Sequence, residues 1–319
     1  MTRLIRALRL TAHGAPLRVG EVPLRDPGPG EVVVEIAAAG VNPIDRYAAQ
    51  GLVAAGGPLP RTLGGEAAGW LDGSPVVVYG GGLGSMQDGV WAEAVTVHRD
   101  HVTPLDPSVE LTAASGLGIV GVTAWNTVVE LGRVTSSDRV LVLGAGGGVG
   151  LAIISLALAA GATVMGQVGS AGKGEAVRDF GASPVVADAA GLAEAARDFA
   201  PTVVFDPLGG GFTPAALSVL APLGRHVIFG TTAGTTAELE LQALYRAGHS
   251  ILGYGGLNLS DEERRIGIRA AADAMGAGRL RIHVGRVMPL SEAAGERDGL
   301  FAALTDRALA GKLVIDCTR

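Results

Sequence analysis

Cysteine is almost missing from this chain. Cys317 is the single one in 319 residues, which excludes an internal disulfide and a multi-cysteine zinc knot. Surplus positive charge is missing too. The formal net charge is −6 and the pI about 5.5, which argues against a nucleic-acid partner, since phosphate contacts draw on excess Lys and Arg. No apolar run reads as a membrane span, and the N-terminus lacks an apolar signal core followed by a small-residue cleavage site. A cytoplasmic protein with no membrane segment is the expectation. The histidines, His13, His98, His101, His226, His249 and His283, form no H-E-x-x-H motif and none lies beside the cysteine. Zinc acting as a Lewis acid is therefore not expected.

Glycine, by contrast, is abundant. There are 50, about twice the usual share of ~7%. They have no three-residue period, which excludes collagen. They cluster at 80–84, 144–150, 209–211 and 255–256, as tight turns or a close backbone approach require. With 48% hydrophobic and 18% charged residues the chain reads as globular, and its length suits about two domains.

Up to about Val97 the pattern is β, with valine-rich runs at 17–22, 31–36 and 75–79 separated by turn chemistry such as Asp26-Pro27-Gly28-Pro29-Gly30. Near Leu111 the pattern changes. Short apolar strands at 139–143, 162–168, 184–187, 202–206, 225–230 and 250–254 alternate with helical stretches at 149–160, 173–180, 192–200, 213–221 and 239–247. That alternation predicts an α/β fold with a doubly wound parallel Rossmann sheet, and the continuous apolar strands fit burial on both faces. The later strand-like stretches, 282–287 and 312–316, have no parallel partner of their own and are expected to return to the N-terminal β domain. The expected division is 1–117, 118–254 and 255–319, the first and last segments forming one discontinuous β-rich domain.

The strongest chemical signal is the run Val140-Leu141-Val142-Leu143-Gly144-Ala145-Gly146-Gly147-Gly148-Val149-Gly150. A strand enters the glycines and an apolar helix leaves them. Gly144, Gly147 and Gly150 depart from the usual G-x-G-x-x-G spacing, but the physics is shared: a sharp turn, backbone approach to a pyrophosphate, and close helix–strand packing. The helix start near Val149 offers free N–H groups and a positive dipole end to phosphates. An NAD site usually carries an acid about 20 residues further on. Here the segment 166–173 has none before Glu175, whereas Ser170 and Lys173 suit a 2′-phosphate. NADPH is therefore expected over NADH. Lys173 as a solvated helix residue and the glycines as a bare turn are the bland alternatives.

These pieces, with Gly30-Glu31-Val32-Val33-Val34, 38–45 (including Asn42-Pro43-Ile44-Asp45), Gly64-Gly65-Glu66-Ala67-Ala68-Gly69, Gly121-Val122-Thr123-Ala124-Trp125, Asp206-Pro207-Leu208-Gly209-Gly210 and Gly311-Lys312-Leu313-Val314, make the chain resemble the zinc-independent, zeta-crystallin-like quinone oxidoreductases of the medium-chain dehydrogenase/reductase superfamily. The resemblance covers nearly the full length. It implies a GroES-like catalytic domain beside the Rossmann domain. It implies Asn42 near the nicotinamide, Thr123 near the cofactor phosphates, and Gly147, Gly148 and Val149 at the pyrophosphate. It further implies Ser170 and Lys173 at the 2′-phosphate, and Phe229, Gly230 and Thr231 beside the nicotinamide half. Zinc-dependent relatives carry a cysteine near the position of Asn42 and a His-Glu pair near Gly65-Glu66, so neither zinc nor flavin is implied here.

Three departures stand out. Asp188 occupies the place of a tyrosine that in related reductases reaches the 2′-phosphate. Val53 occupies the place of the proton-donating tyrosine of enoyl reductases. The turn after Glu66 is short. The leading expectation is hydride transfer from NADPH to a quinone or another conjugated carbonyl or alkene. Asn42 and Tyr47 would stabilise the charge that builds on the acceptor oxygen, and water would be the final proton source. Tyr47 as a packing or lid residue stays open, and Asp45 reads as a turn anchor. A biosynthetic enoyl reductase for polyketide or acyl substrates and a non-catalytic NADPH-binding protein are the rival readings. Relatives commonly dimerise along the edge strand of the nucleotide sheet, so a homodimer through 250–254 is expected.

Overall fold

The computed structural model describes residues 3–53, 56–295 and 299–319. The chain divides into two compact units. One comprises Met1–Val122, Leu259–Gly278 and Ile282–Arg319, and the other Thr123–Asn258 with Arg279–Arg281. The chain thus passes between units at 122/123 and 258/259, a few residues later than the expected borders at 117/118 and 254/255.

The second unit holds six parallel strands: β1 (Arg139–Val142), β2 (Thr163–Val168), β3 (Ser183–Val186), β4 (Val203–Asp206), β5 (Arg225–Ile228) and β6 (Ser250–Gly253). Their order across the sheet is β3-β2-β1-β4-β5-β6. The order reverses between β1 and β4, which is where a doubly wound sheet opens a crevice at its carboxyl edge. The helix Gly148–Ala159 is apolar on all sides, and every residue from Gly150 to Ala157 is buried, as a helix without a polar face must be. Leu141, Leu143, Leu192, Val204, Ala216 and Leu220 close a core on the sheet. The expected helix 192–200 shortens to Leu192–Ala195. The carbonyls of Phe199 and Ala200 turn instead to Arg139 Nε, 2.8 Å from each.

The first unit is built on mixed and antiparallel β-structure. The long strand Glu31–Val41 is its spine. It pairs antiparallel with Glu66–Leu71, Ala94–His98 and Lys312–Asp316. The strand Leu4–Leu10 pairs with Arg18–Pro23 and Arg61–Thr62 in a smaller sheet. The C-terminal strands do return to this unit, but the expectation that they lack a parallel partner is wrong. Val284–Pro289 runs parallel to Lys312–Asp316, because the intervening helix Leu300–Leu304 acts as a crossover rather than a hairpin. Trp91 is fully buried in this core and donates its indole N–H to the Gly40 carbonyl at 3.1 Å. Cys317 is buried here too, and burial raises its thiol pKa, so it is an inert core residue.

Candidate functional site

In the parallel-sheet unit the candidate residues, Thr123 apart, follow the carboxyl ends of β1, β2 and β5. Gly144 leaves β1 with φ +59°, in the left-handed region where a side chain is strained. Gly147 caps the helix Gly148–Ala159 without any side-chain hydrogen bond to the first turn. The first-turn N–H groups of Gly148, Val149 and Gly150 have no intrahelical partner by construction, the arrangement that suits a helix start to an anion. Gly150 packs that turn against its own helix. A Cβ there would lie 2.7 Å from Ala145 Cα and O and 2.8 Å from Gly144 O, all of them backbone. A Cβ on Gly147 would meet only Gly144 O, at 3.4 Å. No side chain caps the first turn of this helix, so its backbone amides are left to an outside partner.

Gln167, in β2, holds the turn from below. Its Oε1 accepts from Gly144 N at 2.9 Å, and its Nε2 donates to Ala187 O at 2.6 Å. Sequence reading did not single this residue out, although a glutamine in an otherwise apolar buried strand is a signal. Beyond β2, Ser170 caps the helix Ala171–Asp179 with an exposed side chain. The stem of Lys173 crosses the glycine turn, since a Cβ on Gly146 would lie 2.9 Å from Lys173 Cβ. Asp188 is committed to its own turn, accepting from Gly191 N at 2.8 Å.

The loop after β4 is tied by Asp206. This fully buried carboxylate accepts from Leu208 N (2.8 Å), Gly209 N (2.9 Å) and Thr213 Oγ1 (2.7 Å), and its Oδ2 lies 3.0 Å from His226 Nε2. Burial pushes its pKa up, but the bonds from His226, Gly209 and Thr213 outweigh burial and hold it below the usual carboxylate value. Phe229, Gly230 and Thr231 follow β5. Gly230 presses on the β4 loop so closely that a Cβ would lie 2.6 Å from Pro207 O. Thr123 is half-buried in the helical turn Val122–Trp125, and its carbonyl accepts from Thr127 Oγ1 at 2.7 Å.

In the β-rich unit Asn42 starts the helix Pro43–Ala49, and its N–H donates to Asp45 Oδ2 at 2.7 Å. Asp45 is thus the helix anchor that its position suggests. Burial pushes its carboxyl pKa up to about 7, against the opposing pull of the Asn42 N–H and of Lys312. Two further groups, absent from the sequence-based site, complete a buried cluster: Glu66 and Lys312. Asn42 Nδ2 donates to Glu66 Oε1 at 2.7 Å, Lys312 Nζ reaches the same oxygen at 2.7 Å, and Lys312 Nζ also donates to Asn42 Oδ1. The other Glu66 oxygen accepts from Ile119 N at 2.7 Å. That capture draws an amide out of the helical ladder, and the turn widens to an i→i+5 bond from Gly121 N to Gly116 O. The sequence signal for this pair is two opposite charges in strands that otherwise read as buried, because each needs the other there. Tyr47 lies on the same helix as Asp45, 43% exposed. Among the described residues no group of three or more His, Cys, Asp or Glu side chains is placed to hold a metal.

Comparison with known proteins fits this architecture. Residues 28–107 match the family described as alcohol dehydrogenase GroES-like domain, and residues 148–273 the one described as zinc-binding dehydrogenase. The chain is 28% identical over 282 residues to the human synaptic vesicle membrane protein VAT-1 homolog, covering 82% of this chain and 70% of that protein. It is 29% identical over 244 residues to mouse quinone oxidoreductase, covering 72% and 74%. It is also 29% identical over 241 residues to a phenolphthiocerol/phthiocerol polyketide synthase chain of Mycobacterium tuberculosis, covering 72% of this chain but 11% of that much longer protein. The matched stretch spans about half of the mouse and rat VAT-1 homologs. Among solved structures, AibC superposes with a TM-score of 0.87 at 24% identity over 99% of this chain and 96% of its own, which speaks to fold alone. A mycobacterial quinone oxidoreductase superposes at 0.81 with 26% identity, over 98% of this chain and 99% of its own. A mycobacterial structure complexed with NADPH superposes at 0.80, also with 26% identity and the same coverage. The chain belongs to the medium-chain dehydrogenase/reductase superfamily of oxidoreductases, in its zeta-crystallin-like, quinone oxidoreductase-related family.

Proposed function

We propose that this chain is an NADPH-dependent reductase that delivers hydride to a conjugated acceptor, a quinone or an alkene activated by a carbonyl. The observation that carries the reading is the uncapped glycine turn after β1, crossed by Lys173 and with no acid at the end of β2. Gly144, Gly147, Gly148, Val149 and Gly150 would hold the pyrophosphate, with Thr123 assigned to the phosphates by resemblance. Ser170 and Lys173 would take the 2′-phosphate, and Phe229, Gly230 and Thr231 the nicotinamide half. When bound, the reduced nicotinamide supplies the hydride. Asn42 and Tyr47 are the donors assigned to the acceptor oxygen as charge builds there, and a proton from water completes the product. Zinc has no part in this reading, because Lys312, Asn42 and Ile119 N already occupy both oxygens of Glu66. A flavin has none either.

Steady-state kinetics test it. NADPH is expected to be preferred over NADH across a panel of quinones and enones. Lys173→Met should weaken NADPH binding about tenfold and leave NADH nearly unchanged, as loss of one charge-assisted hydrogen bond predicts. Tyr47→Phe should lower turnover without changing thermal stability. Equal use of the two nucleotides would remove the 2′-phosphate assignment, and NADPH binding with no turnover on any acceptor would leave a binding protein. A second reading, an enoyl reductase for acyl thioesters, draws on the likeness to the mycobacterial polyketide synthase. Faster turnover of α,β-unsaturated thioesters than of quinones would put it first.

A further inference from the structure

Asn42 is a neutral side chain held between charges. It is 3% exposed, as is Lys312, and Glu66 is fully buried. The three heads close a triangle. Lys312 Nζ donates to Asn42 Oδ1 and to Glu66 Oε1, and Asn42 Nδ2 donates to that same carboxylate oxygen. An amide in this triangle has one stable orientation. Turned over, its NH₂ would face an ammonium that only donates, and its carbonyl would face a carboxylate that only accepts. Reversal therefore forfeits two charge-assisted hydrogen bonds. The carboxylate is itself unable to rotate, because Ile119 N holds its second oxygen at 2.7 Å. The seat exists only because residue 40 is glycine, where a Cβ would lie 2.6 Å from Glu66 Oε1.

Asn42 Nδ2 carries two hydrogens, and Glu66 takes one of them. We propose that Lys312 is a positioning residue: with Glu66 it locks the Asn42 carboxamide so that the remaining Nδ2–H, never the carbonyl, is the group offered to an acceptor oxygen. The ammonium on Oδ1 also polarises the amide and strengthens that N–H as a donor. The catalytic consequence rests on the reductase reading above, whereas the amide orientation stands apart from it.

The test separates the two. Lys312→Met alone would bury an uncompensated carboxylate, so the informative variant is the pair Lys312→Met/Glu66→Gln, which keeps the cluster neutral. Its new amide can still accept from Ile119 N, and its NH₂ then faces Asn42, so the Asn42 amide is expected to turn over. In ¹⁵N-edited NMR of the full chain, with the Asn42 side-chain signals identified by their loss in Asn42→Asp, the wild type should show one Nδ2 proton shifted downfield and protected from exchange. The pair should lose that asymmetry. The pair should also show kcat lower by about 100- to 1,000-fold, the range for losing one oxyanion donor, with NADPH affinity within about twofold, as the amides of the glycine turn are untouched. Lys312→Arg, which keeps a donor to both partners, should recover most of the turnover. Wild-type kcat in the pair, or wild-type Asn42 Nδ2 protons that exchange as fast and lie as close in shift as those of an exposed asparagine, would overturn the proposal. If the wild type binds NADPH but reduces no acceptor, the reductase reading falls while the Asn42 signals still decide what Lys312 does.

Discussion

Asp45 shows how one buried carboxyl shapes stability. Burial lifts its pKa to about 7 although Lys312 and the Asn42 N–H pull it down. An unfolded Asp titrates near 4 (about 3.9 in model peptides), so the folded chain keeps a proton that the unfolded chain releases as pH rises from about 4 to 7. The folded state binds more protons across that window, so stability from this group is full at the acid end and lost as pH rises. The size is on the order of a few kcal/mol. Asp45→Asn keeps an acceptor for the Asn42 N–H and removes the titration. Its Tm, followed from pH 4.5 to 7.5 in about half-unit steps, should fall less steeply with pH than that of the wild type. Parallel curves would show that Asp45 is already ionised when folded. Asp206 is the opposite case, since its four hydrogen-bond partners keep it ionised despite full burial.

The glycine turn and its helix stand or fall as one element. Gly144 supplies the left-handed step, Gly150 the close packing, and Gln167 ties the turn to β2 and to Ala187 O. Gly150→Ala places a methyl 2.7–2.8 Å from backbone atoms that cannot move aside singly. It should destabilise the fold by about 1–3 kcal/mol, the usual size of overpacking, and reduce NADPH affinity more than any surface change on the same helix. Calorimetric titration beside a thermal melt checks both, and unaltered affinity would mean the turn is not the phosphate cradle. This element was legible because its cues are local: glycine spacing, an apolar strand before and an apolar helix after. The wide turn at Leu117–Gly121 was not, because its cause is a carboxylate 53 positions away in sequence taking the Ile119 N–H.

The six-stranded sheet ends on β6, which presents an edge. The helix that precedes it in the chain, Leu241–Ala247, buries none of its residues, and Leu241 and Tyr245, four apart on one face, are 68% and 66% exposed. An edge of this kind invites pairing, so a homodimer across β6 is the assembly we propose. Light scattering should give twice the chain mass, and Leu241→Lys/Tyr245→Lys should shift it toward the monomer; a monomeric wild type at micromolar concentration would refute the assembly. Among the described residues no helix is long and apolar enough to cross a membrane.

The parallel strands with their helices and the glycine turn after β1 could be read from the residues, because each depends on neighbours within a turn or a strand. The Asn42–Glu66–Lys312 triangle could not. Lys312 stands 270 positions from Asn42 and 246 from Glu66, and no local pattern pairs them. They meet because Glu31–Val41 has Glu66–Leu71 on one flank and Lys312–Asp316 on the other. Excluding water then obliges every charge brought together there to find its opposite.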